Sequence, residues 1–221
     1  MPAHGDWVSS LHVVPPICGF GILFSLALIS FLRGRRNPTN LLFSVICLMG
    51  GIINADVALV SLIPDKTIAL RVDRWTYFFF VFSIPVFIQF VHTFLDIRHR
   101  TWLVVSAYAA SFMFLPFVHT PHFISGLQTF SFGAIAKAGP IYHLFSGVVG
   151  FAMIYCLYVL TAAMRRSRDA ARRNRIQYIL FGMGFSALLI SLNMLPVSGF
   201  NIYPLGNFSF IPAIVLAFGV L

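Results

Sequence analysis

Apolar residues gather into six stretches of membrane-spanning length, at 13–32, 41–63, 75–95, 101–118, 141–164 and 176–195, each set off by a short polar segment. About 20 apolar residues in a helix cross a hydrocarbon core of roughly 30 Å, so each predicts a transmembrane helix. A seventh stretch, 211–221, has 11 residues, about 16 Å at ~1.5 Å per residue, which is short of a crossing. The expectation is a polypeptide that continues past Leu221, the alternative being a half-span. Between the fourth and fifth stretches, Leu127, Thr129, Phe130, Ser131 and Phe132 alternate loosely between apolar and polar and predict a short hairpin. With no repeat, low-complexity tract or soluble domain in view, residues 1–221 read as one all-α domain, a polytopic transmembrane bundle of seven helices with the last truncated.

Composition supports lipid as the solvent: 59% of residues are hydrophobic and 10% charged, against roughly 25% charged in soluble domains. The excess of 15 Lys and Arg over 6 Asp and Glu does not read as a nucleic-acid face, because the basic residues sit between apolar runs instead of among exposed aromatics on one surface. The bilayer is the expected partner. Eleven arginines (33, 35, 36, 98, 100, 165, 166, 168, 172, 173 and 175) fall in one set of loops, and four basic residues (Lys66, Arg71, Arg74 and Lys137) in the other. Cytoplasmic loops carry the basic excess, so the N-terminus is expected outside and the C-terminal end at the cytoplasm. The first 11 residues hold no Lys or Arg, so they lack the basic region of a cleavable signal and the first helix is expected to be retained. Cys18, Cys47 and Cys156 lie inside apolar runs, with neither a disulfide framework nor a zinc spacing.

Candidate chemistry is sparse. Asp56 reads as the only acidic residue inside a span; a carboxylate there is costly unless paired, protonated or wetted, so a signalling or ligand role and a structural one both stand. Asn40, Ser44, Cys47, Gly51, Asn54 and Ser61 form a small and polar stripe suited to helix contact, and Asp56 lies about 200° around the helix from Asn54. In the third helix Pro85, Gln89, His92 and Asp96 make a polar ridge beside an expected proline kink. His119 and His122, with His4, His12 and His143, place imidazoles on the outer side; Pro121 inside the pair and the lack of a cysteine make His119 and His122 weak metal candidates. His92 and His143 belong to opposite leaflets and cannot clamp one haem. No cofactor is expected, and the sequence shows no nucleophile elbow, Walker loop, dinucleotide loop or paired carboxylates.

Several motifs carry a family likeness. Gly139-Pro140-Ile141-Tyr142 opens the fifth helix, Arg175-Ile176-Gln177-Tyr178-Ile179-Leu180-Phe181-Gly182 follows the arginine-rich loop, and Asn193-Met194-Leu195-Pro196 closes the sixth. Tyr203-Pro204-Leu205-Gly206-Asn207 comes next, and Arg36-Asn37-Pro38-Thr39-Asn40 leads into the second helix. Over nearly the whole chain this resembles the seven-helix N-terminal sensor region of bacterial histidine kinases and of some diguanylate cyclases. The resemblance implies a multi-pass sensory input module in the bacterial cytoplasmic membrane, whose seventh helix leads to a cytoplasmic output domain of a two-component or related system. It also implies a homodimer by analogy, and it names no stimulus. Kinase or cyclase activity is not carried over to these residues, which lack the motifs for it. Candidate ligand-binding or signalling residues are Asn54, Asp56, Gln89, His92, Tyr142, His143, Asn193, Tyr203 and Asn207. Rival readings are an accessory or scaffold subunit of a larger membrane complex, or a transporter subunit.

Overall fold

A computed structural model describes residues 5–221, with side chains from His12 onward. Its helices are α1 (Gly5–Arg33), α2 (Pro38–Leu62), α3 (Lys66–Phe80), α4 (Ser83–Leu95), α5 (Thr101–Phe114), α6 (Pro140–Arg166), α7 (Ala170–Val197) and α8 (Phe210–Val220), with short 3-10 turns at Leu115–Phe117 and Leu205–Phe208. The expected hairpin is present as β1 (Ile124–Phe130) paired antiparallel with β2 (Gly133–Ala138). Gly133 takes a φ of 151° at its turn, against the His12 ring, where a Cβ would collide.

Five helical rods, including the continuous run of α3 and α4 over Lys66–Leu95, are long and apolar enough to cross a membrane; Thr101–Phe117 and Leu205–Val220 are shorter apolar helices. Large apolar side chains point outward, among them Phe151, exposed at 77%, and Met113 at 74%. Such a surface is compatible with a lipid surround and costly in water.

Helix starts follow local chemistry. Asn37 accepts the Thr39 amide with Pro38 at the first position of α2, Asp65 accepts the amides of Thr67 and Ile68, and Asp169 accepts those of Ala171 and Arg172. These caps correct two boundaries. The third rod begins at Lys66, nine residues before the apolar run at 75, and α7 begins at Ala170, so most of the basic loop is helical. Polar first turns of helices hide the start of a span from hydropathy.

The break between α3 and α4 lies at Val81 and Phe82, one turn before Pro85. Proline has no N–H for the carbonyl four residues back, and that carbonyl, on Val81, instead accepts the Ser111 hydroxyl of α5 at 2.7 Å.

Around the bundle α1 packs on α2, α2 on α3 and α4, α4 on α6, α6 on α7, α7 on α8, and α8 returns to α1 and α2, while α5 flanks α4. The polar stripe of α2 faces α1: the Ser44 hydroxyl donates to Ala27 O at 2.7 Å, and Ser30 on α1 donates to Asn40 O at 2.9 Å. Ser61 differs, donating to Val57 O of its own helix. α7 and α8 meet at glycines, for a Cβ on Gly182 would lie 2.6 Å from Leu216 Cγ and one on Gly219 2.7 Å from Ile179 Cγ1.

Candidate functional site

Inside the ring lies a cavity of about 380 Å³, walled by α2, α3, α4, α6, α7 and α8, touched by Leu23 of α1, and bordered by Ala134, Ile135 and Ala136 of the hairpin. That hairpin is pinned from both sides. The Arg74 guanidinium donates to Ile124 O at 2.8 Å, Lys66 reaches the Thr129 hydroxyl at 3.4 Å, and the Gln128 amide donates to Pro196 O at the end of α7.

Two carboxyls line this cavity from neighbouring helices, α2 and α3. α2 turns Asp56 away from its α1-facing stripe, and α3 presents Asp73; both line the cavity and are 6% and 5% exposed. The two carboxyls are near enough for each to feel the other's charge, but no hydrogen bond joins them, and the Thr76 hydroxyl turns back to Val72 O at 3.5 Å. Asp56 Oδ1 and Asp73 Oδ2 are buried and accept no hydrogen bond. Among the described residues the one ion pair is Arg98 with Asp96, at 2.9 Å on the surface, so no basic side chain is bonded to the two carboxyls. Two carboxylates this close in an apolar surround require a positive counterpart, whether a proton or a cation.

Asp73 overturns the expectation that Asp56 is the only acidic residue in a span. It sits between Arg71 and Arg74, and that polarity reads as loop. Helical spacing held the missed signal: Asp73, Thr76, Phe80, Ser83 and Phe87 advance by three or four residues and all line the cavity, across the break at Val81. Ser83 is 6% exposed and its hydroxyl has no partner. The walls near the carboxyls are aromatic, with Tyr77 and Tyr142 edge to face at 5.6 Å and Phe123 set against both.

Of the other sequence candidates, Tyr142, Asn193 and Asn207 also line the cavity. Asn193 Oδ1 accepts the Gly206 amide at 2.7 Å, and Asn207 Nδ2 donates to the Tyr203 hydroxyl at 3.4 Å, so both also brace the turn before α8. Asn54 ties α2 to the same region, its amide donating to the Ser209 hydroxyl at 3.1 Å and to Gly50 O at 2.9 Å. Tyr203 packs against the edge of His12 and against Phe132 beneath the hairpin. Asn193 and Asn207 thus give the cavity a polar rim beside the turn before α8, and Asn54 and Tyr203 support that turn from behind.

The remaining candidates lie elsewhere. Gln89 accepts the Tyr108 hydroxyl at 2.7 Å, joining α4 to α5, and His92 Nε2 meets the Tyr155 hydroxyl at 2.7 Å, joining α4 to α6. The ridge on α4 is thus divided between two packing contacts. His143 is exposed beside Tyr142, His119 rests on Trp75 and Phe78, and His122 is exposed. Among the described residues no three metal-ligating side chains converge, and His4 lies outside the described residues. No family model, curated protein or solved structure matches the chain.

Proposed function

We propose that this chain is the membrane-embedded sensory input module of a bacterial signal-transduction protein, crossing the membrane seven times with its N-terminus outside. The central cavity is the receptor site and the inner end of α8 the output. The observation that carries this reading is a ligand-sized, mostly apolar cavity that holds two buried carboxyls and has α8 as part of its wall, through Ala213 and Leu216. Leu216 also packs at Gly182, and the far end of α8 is held by Arg175 of α7, whose guanidinium donates to Gly219 O at 3.0 Å and Val220 O at 3.3 Å. An occupant that moves the cavity wall therefore moves a rigid element whose other end lies at the arginine-rich side. The resemblance to histidine kinase sensor regions supports this reading, in which α8 hands the signal to a cytoplasmic output domain.

The test fills the cavity without a ligand. In a Cys18→Ser background, which removes the one exposed native thiol among the three cysteines, Leu221→Cys reports on the end of α8 through its rate of maleimide labelling. Val149→Phe, or Met153→Trp where the first does not assemble, occupies the cavity from α6. A change of about threefold or more in labelling is expected; an unchanged rate in a folded variant overturns the reading. Uptake of a solute by the same chain in proteoliposomes would move it to transport.

A further inference from the structure

We infer that the cavity takes a small organic ammonium, an amine with an apolar body, whose cationic head is held by Asp56 and Asp73. This rests on the reading of the cavity as the receptor site and names its ligand class.

Arg74, beside Asp73, lends charge from nearby but spends its guanidinium on Ile124 O, so neither carboxyl has a bonded cation and three occupants could supply one. A proton alone needs no space, yet the carboxyls open on a cavity of about 380 Å³ in which the Ser83 hydroxyl is also left without a partner. A hard metal cation needs more donors than are present: calcium takes about six to eight oxygens, whereas no three metal-ligating side chains converge among the described residues. An ammonium group fits both counts. Its N–H donors match the buried, unpartnered acceptors Asp56 Oδ1 and Asp73 Oδ2 on the neighbouring helices α2 and α3, which a turn of each carboxyl presents to the cavity, and the charge-assisted bonds form away from bulk water. Aromatic rings of Tyr77, Phe80 and Tyr142 line the same cavity and favour a cation near their faces. Leu23, Val149 and Leu216 add apolar lining for the rest of the molecule, with Ser83 as one polar point on the wall.

An anionic ligand meets the carboxyls with repulsion, and a neutral apolar one leaves them uncompensated. The chemistry therefore selects by charge at one end and by apolar volume along the rest.

The probes are 2-phenylethylamine and its neutral near-isostere 2-phenylethanol, measured by equilibrium dialysis against the full native polypeptide in lipid nanodiscs, with empty nanodiscs subtracting partition into lipid. The amine is expected to bind at least tenfold more tightly than the alcohol. The double variant Asp56→Asn/Asp73→Asn is expected to lose at least tenfold in amine binding while alcohol binding stays unchanged, which also reports that the cavity is intact. Equal binding of the two probes to the unaltered protein overturns the assignment, and this comparison stands even where the double variant does not fold. Undiminished amine binding in a folded double variant overturns it as well. Amine binding that leaves the Leu221→Cys labelling rate unchanged keeps the ligand class and ends the sensor reading. Labelling that responds to Val149→Phe while the two probes bind alike does the reverse.

Discussion

Gly182 and Gly219 let α7 and α8 approach more closely than side chains allow. A Cβ at Gly219 would lie 2.7 Å from Ile179 Cγ1 and 2.9 Å from the backbone oxygen of Arg175, which cannot swing aside as a side-chain tip can. Gly219→Ala is expected to cost about 1–3 kcal/mol in reversible unfolding from mixed micelles. Gly21→Ala, with nothing within 4 Å of the added carbon, is expected to change stability by less than about 0.5 kcal/mol. Asp65 makes a different kind of contribution. Bonds from the amides of Thr67 and Ile68 hold its carboxyl below its ordinary value of 3.8, so the folded state binds that proton more weakly than the unfolded one. Its support for the first turn of α3 is complete above that value and is lost as pH falls below it. In Asp65→Asn the acid-dependent loss of protection at the Thr67 amide, followed by hydrogen exchange, is expected to vanish.

At the scale of elements, the junction of α3 and α4 is a compensated defect. Pro85 frees the Val81 carbonyl, and Ser111 satisfies it from a neighbouring helix. Ser111→Ala is expected to destabilise by about 1–2 kcal/mol, since a buried carbonyl then lacks a donor. Pro85→Ala restores the intrahelical donor, so the same serine change on that background is expected to cost less than half as much. A proline in a helical run made the kink foreseeable; its remedy lies 26 residues away, on another helix. The C-terminal end of α8 depends similarly on Arg175, which also lies over the ring of Phe94 of α4, 5.9 Å from its centroid. Arg175→Ala is expected to raise amide exchange at residues 216–221 severalfold. Arg175→Lys is expected to rescue little, because an ammonium lacks the planar fork that reaches two adjacent carbonyls.

For the molecule as a whole, the proposed orientation follows from eleven arginines on one side against four basic residues on the other. Cysteines placed at Ser167 and Thr129 in the Cys18→Ser background test it. An impermeant thiol reagent added outside intact cells is expected to label the Thr129 position and not the Ser167 position. The reverse pattern would invert the bundle and turn the hairpin side of the cavity toward the cytoplasm. Three of the four outer basic residues, Lys66, Arg71 and Arg74, belong to α3, and Lys66 and Arg74 hold the hairpin over the cavity. Residues that read as a charged loop are therefore part of the roof of the candidate site.

Long apolar stretches and the hairpin were legible in the chain because each depends on neighbours within a few residues, through apolar length and turn residues, whereas the starts of α3 and α7 were set by the capping side chains Asp65 and Asp169, which hydropathy passes over. Asp56 stood out for the same local reason, as a charge in an apolar run. Its partner did not. Asp73 is surrounded by Arg71, Arg74 and a preceding Lys66, and local polarity makes such a segment a loop unless the 3.6-residue spacing through Thr76 and Phe80 is weighed above it. Gln89 and His92 illustrate the opposite limit: polar spacing placed them on one ridge, and packing against α5 and α6 directed them to separate partners. The cavity belongs to the tertiary structure alone, since its walls come from seven helices and the β2 strand, and only the order in which the helices close the ring decides which side chains share that space.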